Sequence, residues 1–366
     1  MTQQKEETNS LTRRRFLKWT AGGAAAAAGL TLGIRPWNRT ATGATTVSET
    51  RPAMGTFVEI TARGEDEQRT TELIDRAYSR IREVDEKMSV YKDGSLVKGA
   101  NRPGRKSLNP DPATMDVLTE AQKLAELTDG GFDATAGPLL ELWGFYRDEL
   151  TVPTSKQLEE TLKLVDYRGL DLNPSTGTAT LPDPDSRLDL GGIAKGYGVD
   201  AAVNVLKEGN LAAGLVNAGG DIRGFGGPEG EASWKVGLQN PLKENGLLAG
   251  MELLLPAVTT SGNYESFFTY DGSRLAHIVD PKTGRPVEDV LSVSVMTETA
   301  VRADGLSTAA FSQGPEGALE TTAGLEDTEM IYIHRTDSGR IAVGLTEGLE
   351  GTVDSGKLER GLNAQV

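Results

Sequence analysis

Strand-patterned and helix-patterned segments follow one another irregularly along this 366-residue chain, and that order most limits what it can fold into. Residues 57–62 alternate apolar and polar side chains, as a strand packed on one face does. Within 66–90, Leu73, Ile74, Ala77, Ile81, Val84 and Met88 recur at helical spacing instead. Further helical patterns cover 114–128, which stops at Asp129-Gly130-Gly131, and 155–165, 200–208 and 301–311. Residues 138–145, with Trp143, read as an apolar helical turn. Strand patterns fall at 170–181 and 187–190 around a turn, and at 214–217, 234–238, 247–255, 257–260, 292–297, 329–334 and 340–344. A doubly wound parallel sheet would need strands and helices in regular alternation. The expectation is therefore an α+β fold, with mixed sheets and packed helices and no internal repeat.

Composition narrows the chemistry. The chain has no cysteine, which excludes disulfides, thiolate metal sites and cysteine nucleophiles. Two histidines leave little scope for a histidine-rich zinc centre, so metal chemistry here is oxygen-ligated, as for Mg²⁺ or Ca²⁺. The formal charge is −15. Setting aside residues 1–44, with seven basic and two acidic side chains, leaves 31 against 51, a balance of −20. Such a surface repels nucleic acid and anionic membranes, so an anionic ligand needs a cation and a few well-placed lysines.

Residues 1–44 read as an address. Thr12-Arg13-Arg14-Arg15-Phe16-Leu17-Lys18 precedes the alanine-rich apolar run 21–34, the pattern of a twin-arginine export signal. That run is short and rich in Gly and Ala for a membrane span. Cleavage near Ala44 is the expectation, inside a polar linker over 35–50, with one domain over 45–366. Localisation would be periplasmic, or at the outer face of the cytoplasmic membrane.

Several polar motifs carry chemistry. Asp304 and Thr308 are four apart on an expected helix and share one face. A carboxylate and a hydroxyl so placed form part of an Mg²⁺ shell, or else a helix cap and a packed threonine. In Asp189-Leu190-Gly191-Gly192-Ile193-Ala194-Lys195-Gly196, adjacent glycines let backbone approach a ligand, and Lys195 precedes a helix start suited to phosphate. A tight turn with a surface lysine would look the same. The overlapping Gly196-Tyr197-Gly198-Val199-Asp200-Ala201 imitates a dinucleotide fingerprint with Asp221 downstream, but no clean βαβ unit surrounds it. Asn217-Ala218-Gly219-Gly220-Asp221 is a hairpin turn or a nucleotide-site wall. Thr260-Ser261-Gly262 lacks the flanking glycines of a nucleophile elbow, which argues against a serine hydrolase. His277, near Asp280, can act as a base, orient a phosphate or hydrogen-bond structurally; His334 is read as structural. Phe132, Tyr91 and Trp143 could stack on a flat ring or serve as core.

Together with Met54-Gly55-Thr56, Met88-Ser89-Val90-Tyr91, Gly131-Phe132-Asp133-Ala134-Thr135 and Asp280-Pro281-Lys282-Thr283-Gly284, these motifs over residues 50–350 resemble the ApbE family, the flavin transferases that move FMN from FAD onto a protein threonine. The resemblance implies an ApbE-like, T-fold-related architecture. It implies FAD contacts at Met54, Tyr91, Phe132, Asp133, Asp189, Lys195 and Ile278. Mg²⁺ would be held by Asp304 and Thr308 through side chains and by the Gly192 carbonyl, with His277 and Asp304 as catalytic candidates. Alanine is frequent in the family at the Gly192 position, and a carbonyl ligand tolerates either residue. Lys282 stands where arginine is common, which keeps charge without a bidentate grip. The acceptor would be a partner protein with a flavinylation threonine, an exported redox subunit by expectation. The same site with water as acceptor would be an FAD diphosphatase; without turnover it would be a flavin carrier or assembly factor.

Overall fold

The structure is a computed structural model, and it describes residues 44–365 apart from 148–149, 230, 244–245, 264–266 and 271–272. The expected export signal lies outside the described residues. None of the helices among the described residues is long and apolar enough to cross a membrane.

The strands, in chain order, are β1 (Thr45–Ala53), β2 (Thr56–Gly64), β3 (Ser107–Leu108), β4 (Asp171–Asn173), β5 (Thr178–Thr180), β6 (Ala213–Ala218), β7 (Asp221–Phe225), β8 (Lys235–Gln239), β9 (Leu247–Glu252), β10 (Ala257–Gly262), β11 (Phe267–Tyr270), β12 (Ser273–Ala276), β13 (Val290–Thr297), β14 (Glu329–Arg335) and β15 (Ile341–Leu345). The α-helices are α1 (Glu67–Met88), α2 (Leu96–Ala100), α3 (Pro112–Leu127), α4 (Gly137–Trp143), α5 (Ser155–Leu162), α6 (Ala194–Glu208), α7 (Ala300–Thr322) and α8 (Ser355–Asn363). Eight strands form one sheet, ordered β1-β2-β6-β7-β10-β13-β14-β15, with every neighbouring pair antiparallel. This is the expected α+β class.

Both faces of the sheet are covered, and strand alternation sorts side chains between them. On β14, Met330 and Tyr332 point into the core beneath α3 and α7, while Ile331 and Ile333 face the opposite core with Trp234, Val236, Leu358 and Leu362. That second core lies under the β8–β9 ribbon and α8. Toward the other end of the sheet, Val58 and Ile60 of β2 and Val216 and Ala218 of β6 pack against Leu73, Ile74, Tyr78 and Ile81 of α1 and Val199 and Val203 of α6. Asp66 caps α1, its side chain accepting from the Arg69 amide at 2.6 Å.

The structure revises four sequence-based boundaries. Residues 45–50 are not linker: they begin edge strand β1, paired from Thr45↔Gly64 to Ala53↔Thr56. Their pattern is nearly all polar because an edge strand exposes much of itself, so pairing with β2 rather than apolar alternation defines it. Residues 187–190 lie outside the named strands and pair in strand fashion only as the isolated bridge Ala136↔Arg187, among the described residues. Helix α6 begins at Ala194, six residues before the expected start, which puts Lys195 inside its first turn. Gly196 and Gly198 hide that turn from a propensity reading, yet a Cβ at Gly196 would sit 2.2 Å from the Ala300 carbonyl oxygen. The close crossing of α6 and α7 requires glycine there. Finally, α7 does not end at Phe311 but continues past a kink at Gly314 (φ 74°, ψ 177°) and Pro315 to Thr322.

Candidate active site for nucleotide and metal

Helix α7 carries Asp304 and Thr308 into the interior. Its own N-terminus is capped from another element: the Asp200 carboxylate, on α6, accepts from the Ala300 and Val301 amides, each at 2.9 Å, and pairs with Arg223 of β7 at 2.8 Å. Burial pushes the Asp200 carboxyl up, and Arg223 together with those two amides opposes it. This explains the fingerprint-like Gly196–Ala201 segment. Asp200 is a structural clamp between α6, α7 and β7, and Asp221 pairs with Lys195.

With that end fixed, Asp304 does not cap its own helix. It is 3% exposed, and its Oδ2 accepts from the Gly196 amide in the first turn of α6 at 2.9 Å. The carboxylate thus sits at the positive end of a second helix. Its Oδ1 lies 3.7 Å from Lys195 Nζ. Lys195 in turn forms an ion pair with Asp221, at the start of β7, which is 1% exposed. Burial pushes the Asp304 carboxyl up, against the pull of Lys195 and the Gly196 N–H.

One helical turn on, Thr308 Oγ1 donates to the Gly192 carbonyl at 3.4 Å and lies 3.5 Å from Ser261 Oγ of β10. Ser261 also meets Ser307 Oγ at 2.9 Å, and Thr259 reaches the same oxygen at 3.3 Å. The Thr308 hydroxyl and the Gly192 carbonyl thus meet one helical turn from the Asp304 carboxylate, which shares their face of α7. These hard donors suit Mg²⁺. No group of three or more His, Cys, Asp or Glu among the described residues could hold a metal, so a cation here would depend on the hydroxyl and carbonyl. Asp304, Thr308 and the Gly192 carbonyl are the residues that would hold it.

The other sequence candidates occupy distinct places. Phe132 is buried in the core and lies 3.3 Å from where a Cβ on Gly192 would project. The same Cβ would come within 2.8 Å of Thr308 Oγ1 and 2.9 Å of its Cγ2. In this chain the space beside Gly192 is already filled, so its carbonyl position is not indifferent to alanine. Met54 occupies the β1–β2 turn at positive φ (51°), with its sulfur 2.8 Å from a Cβ built on Gly198. Asp133 is buried and turned to its surroundings: Oδ1 accepts from the Thr135 amide and hydroxyl, both at 2.7 Å, and Oδ2 from the Tyr167 amide at 3.1 Å. Burial raises its carboxyl above the usual range, against those donors.

Asp189 Oδ1 accepts from the Gly191 amide at 2.7 Å, closing the turn that leads to Gly192. Its Oδ2 accepts from the hydroxyl of Tyr146 at 2.7 Å, and Tyr146 meets Tyr91 edge to face at 6.1 Å. His277 follows β12 and is half-buried, and Ile278 is buried in the core beside it. In the following turn, Asp280 accepts from the Lys282 amide and the Thr283 hydroxyl, each at 2.8 Å. Lys282 Nζ reaches Asp129 at 3.1 Å. Trp143 Nε1 donates to the Gly284 carbonyl at 2.7 Å, which ties α4 to that turn.

The contacts thus form two groups joined through α7: Lys195 and Asp221 with Asp304, and Gly192 and Ser261 with Thr308, with Phe132 beside Gly192. Tyr91 and Asp189 meet separately, through Tyr146. Sequence reading missed Tyr146, a single tyrosine with no motif, and left Asp221 and Ser261 undecided because their partners lie 26 and 47 residues away.

Comparison with known proteins gives the family. The ApbE family model matches residues 54–332. The FAD:protein FMN transferase of Escherichia coli K12 is 32% identical over 276 residues, 73% of this chain and 78% of that protein. The enzyme of that name from Salmonella typhimurium is 33% identical over 294 residues, 78% and 83% of the two chains. Among solved structures, the ApbE protein of Thermotoga maritima superposes with a TM-score of 0.76 at 31% identity, covering 84% of this chain and 99% of its own. The flavin transferase ApbE of Vibrio cholerae gives 0.73 at 29% identity, covering 85% and 100%. A family match across most of the sequence, relatives above 30% identity and a shared fold make this chain a member of the ApbE family.

Proposed function

We propose that this protein is an Mg²⁺-dependent FAD:protein FMN transferase that esterifies a threonine of an exported acceptor protein and releases AMP. The observation that carries the proposal is Asp304 beside Lys195, one helical turn from Thr308, which meets the Gly192 carbonyl. The relatives named for this activity support it. A cation at that oxygen set would neutralise charge on the pyrophosphate and on the departing phosphate.

The chain's own groups supply the rest. Lys195, positioned by Asp221, offers its ammonium to pyrophosphate oxygens; the first turn of α6 supports negative charge nearby. The acceptor threonine oxygen attacks the FMN-side phosphorus, the bond to the AMP oxygen breaks, and the hydroxyl proton passes to a base. His277 is the candidate for that base, and Asp304 the carboxylate alternative. Tyr91, 48% exposed, is the candidate to cover the flavin. Residues 1–44, read as a twin-arginine signal, would take the enzyme to the compartment of exported redox subunits.

The test is incubation with FAD, Mg²⁺ and an acceptor domain bearing a flavinylation threonine, followed by a denaturing gel viewed for flavin fluorescence. A fluorescent acceptor band that disappears with EDTA supports the reading. AMP and free FMN without a labelled band would point to FAD diphosphatase activity. FAD bound but unchanged would point to a carrier.

A further inference from the structure

Tyr146 lies in the loop after α4 and touches two residues from distant parts of the chain. Its hydroxyl donates to Asp189 Oδ2 at 2.7 Å, and its ring meets Tyr91 at 6.1 Å with the planes 85° apart, a favourable edge-to-face geometry. Asp189 is held at its other oxygen by the Gly191 amide at 2.7 Å and through its own amide by the Ala134 carbonyl at 2.8 Å. The carboxylate therefore has one orientation, set from both sides. Three residues beyond Asp189, the Gly192 carbonyl faces Thr308. Helix α4, which carries the Tyr146 loop, is itself fixed to the turn after His277 by Trp143.

We infer that Tyr146 is a positioning residue for FAD, holding the Asp189 carboxylate and the Tyr91 ring in the single arrangement that receives the nucleotide. The inference rests on the proposed function, in which Asp189 and Tyr91 contact FAD. Tyr146 acts through these neighbours and need not touch the reacting phosphorus. Burial, with the Asp189 charge beside it, raises the phenol well above its usual range, so it remains a donor across the working pH.

The test uses the full-length chain with Mg²⁺ and follows FAD binding by flavin fluorescence, without acceptor, alongside KM and kcat with acceptor. Tyr146→Phe keeps the ring and removes only the donor. It should weaken FAD binding and raise KM for FAD about tenfold, the scale of one hydrogen bond to a charged group, while turnover at saturating FAD changes less than threefold. Asp189→Asn should weaken binding too, and the double variant should be no weaker than Asp189→Asn alone, since both act through one contact. A purely structural tyrosine would lower thermal stability without this binding split or this non-additivity. Wild-type affinity in Tyr146→Phe, or losses that simply add, would overturn the inference and leave the functional proposal standing. A wild-type protein that binds no FAD would overturn both.

Discussion

Individual residues at this site are set by neighbours that differ in their distance along the chain. Asp304 and Thr308 were legible as a pair because helical spacing is local. Lys195 was legible as a cation but misplaced relative to its helix, because Gly196 and Gly198 masked the first turn. Replacing Lys195 with Met keeps much of the side chain's bulk but removes the ammonium that lies between Asp221 and Asp304; transfer should fall about a hundredfold or more, the scale of losing one placed charge-stabilising group, measured as AMP release at saturating FAD. Gly192→Ala tests the crowding beside Thr308. With contacts of 2.8 and 2.9 Å to that side chain, the added methyl must displace it, and Mg²⁺ should be needed at several-fold higher concentration in a metal titration of activity. An unchanged titration would mean that Thr308 moves aside without cost to the metal shell. Tyr146 and Asp133 show the limit of sequence reading at this scale. One had no motif, and the other sits in a motif whose sequence does not show that its carboxylate accepts from Thr135 and Tyr167.

Among elements, the junction of α6 and α7 holds the site together. Asp200 of α6 caps α7, and Asp304 of α7 accepts from the first turn of α6, so each helix supplies a carboxylate to the other. Asp200→Ala would strip two amides of their acceptor and leave Arg223 buried without its partner. A loss of about 3–5 kcal/mol is expected, visible as a reduced denaturation midpoint, and a loss below about 1 kcal/mol would contradict the clamp. Gly196→Ala would drive a methyl against the Ala300 carbonyl and force the helices apart; it should cost about 1–3 kcal/mol and lower metal affinity as well, because Gly196 and Asp304 would separate. Most helices and long strands of the sheet were readable from periodicity. Edge strand β1 was not, because its polar residues carry no alternation, and the second half of α7 was not, because Gly314-Pro315 reads as a stop.

At the scale of the molecule, one antiparallel sheet with covered faces brings β7, β10, α6 and α7 to a single place. Their key residues span more than a hundred positions in sequence, which is why the order of strands was not legible beforehand. Mg²⁺ that binds the folded site should stabilise the whole chain by mass action. Millimolar Mg²⁺ should raise the melting temperature of the wild type and leave that of Asp304→Ala unchanged, with calcium as a comparison ion. The central claim is that this fold transfers FMN itself to a protein hydroxyl. Its most direct test is intact and peptide mass spectrometry of the acceptor after reaction with FAD, Mg²⁺ and either the wild-type chain or Asp304→Ala. The account predicts the mass of FMN less one water on a single acceptor threonine, with one AMP released per label, for the wild type alone. An unmodified acceptor beside intact FAD, or a label that forms equally with Asp304→Ala, would contradict it.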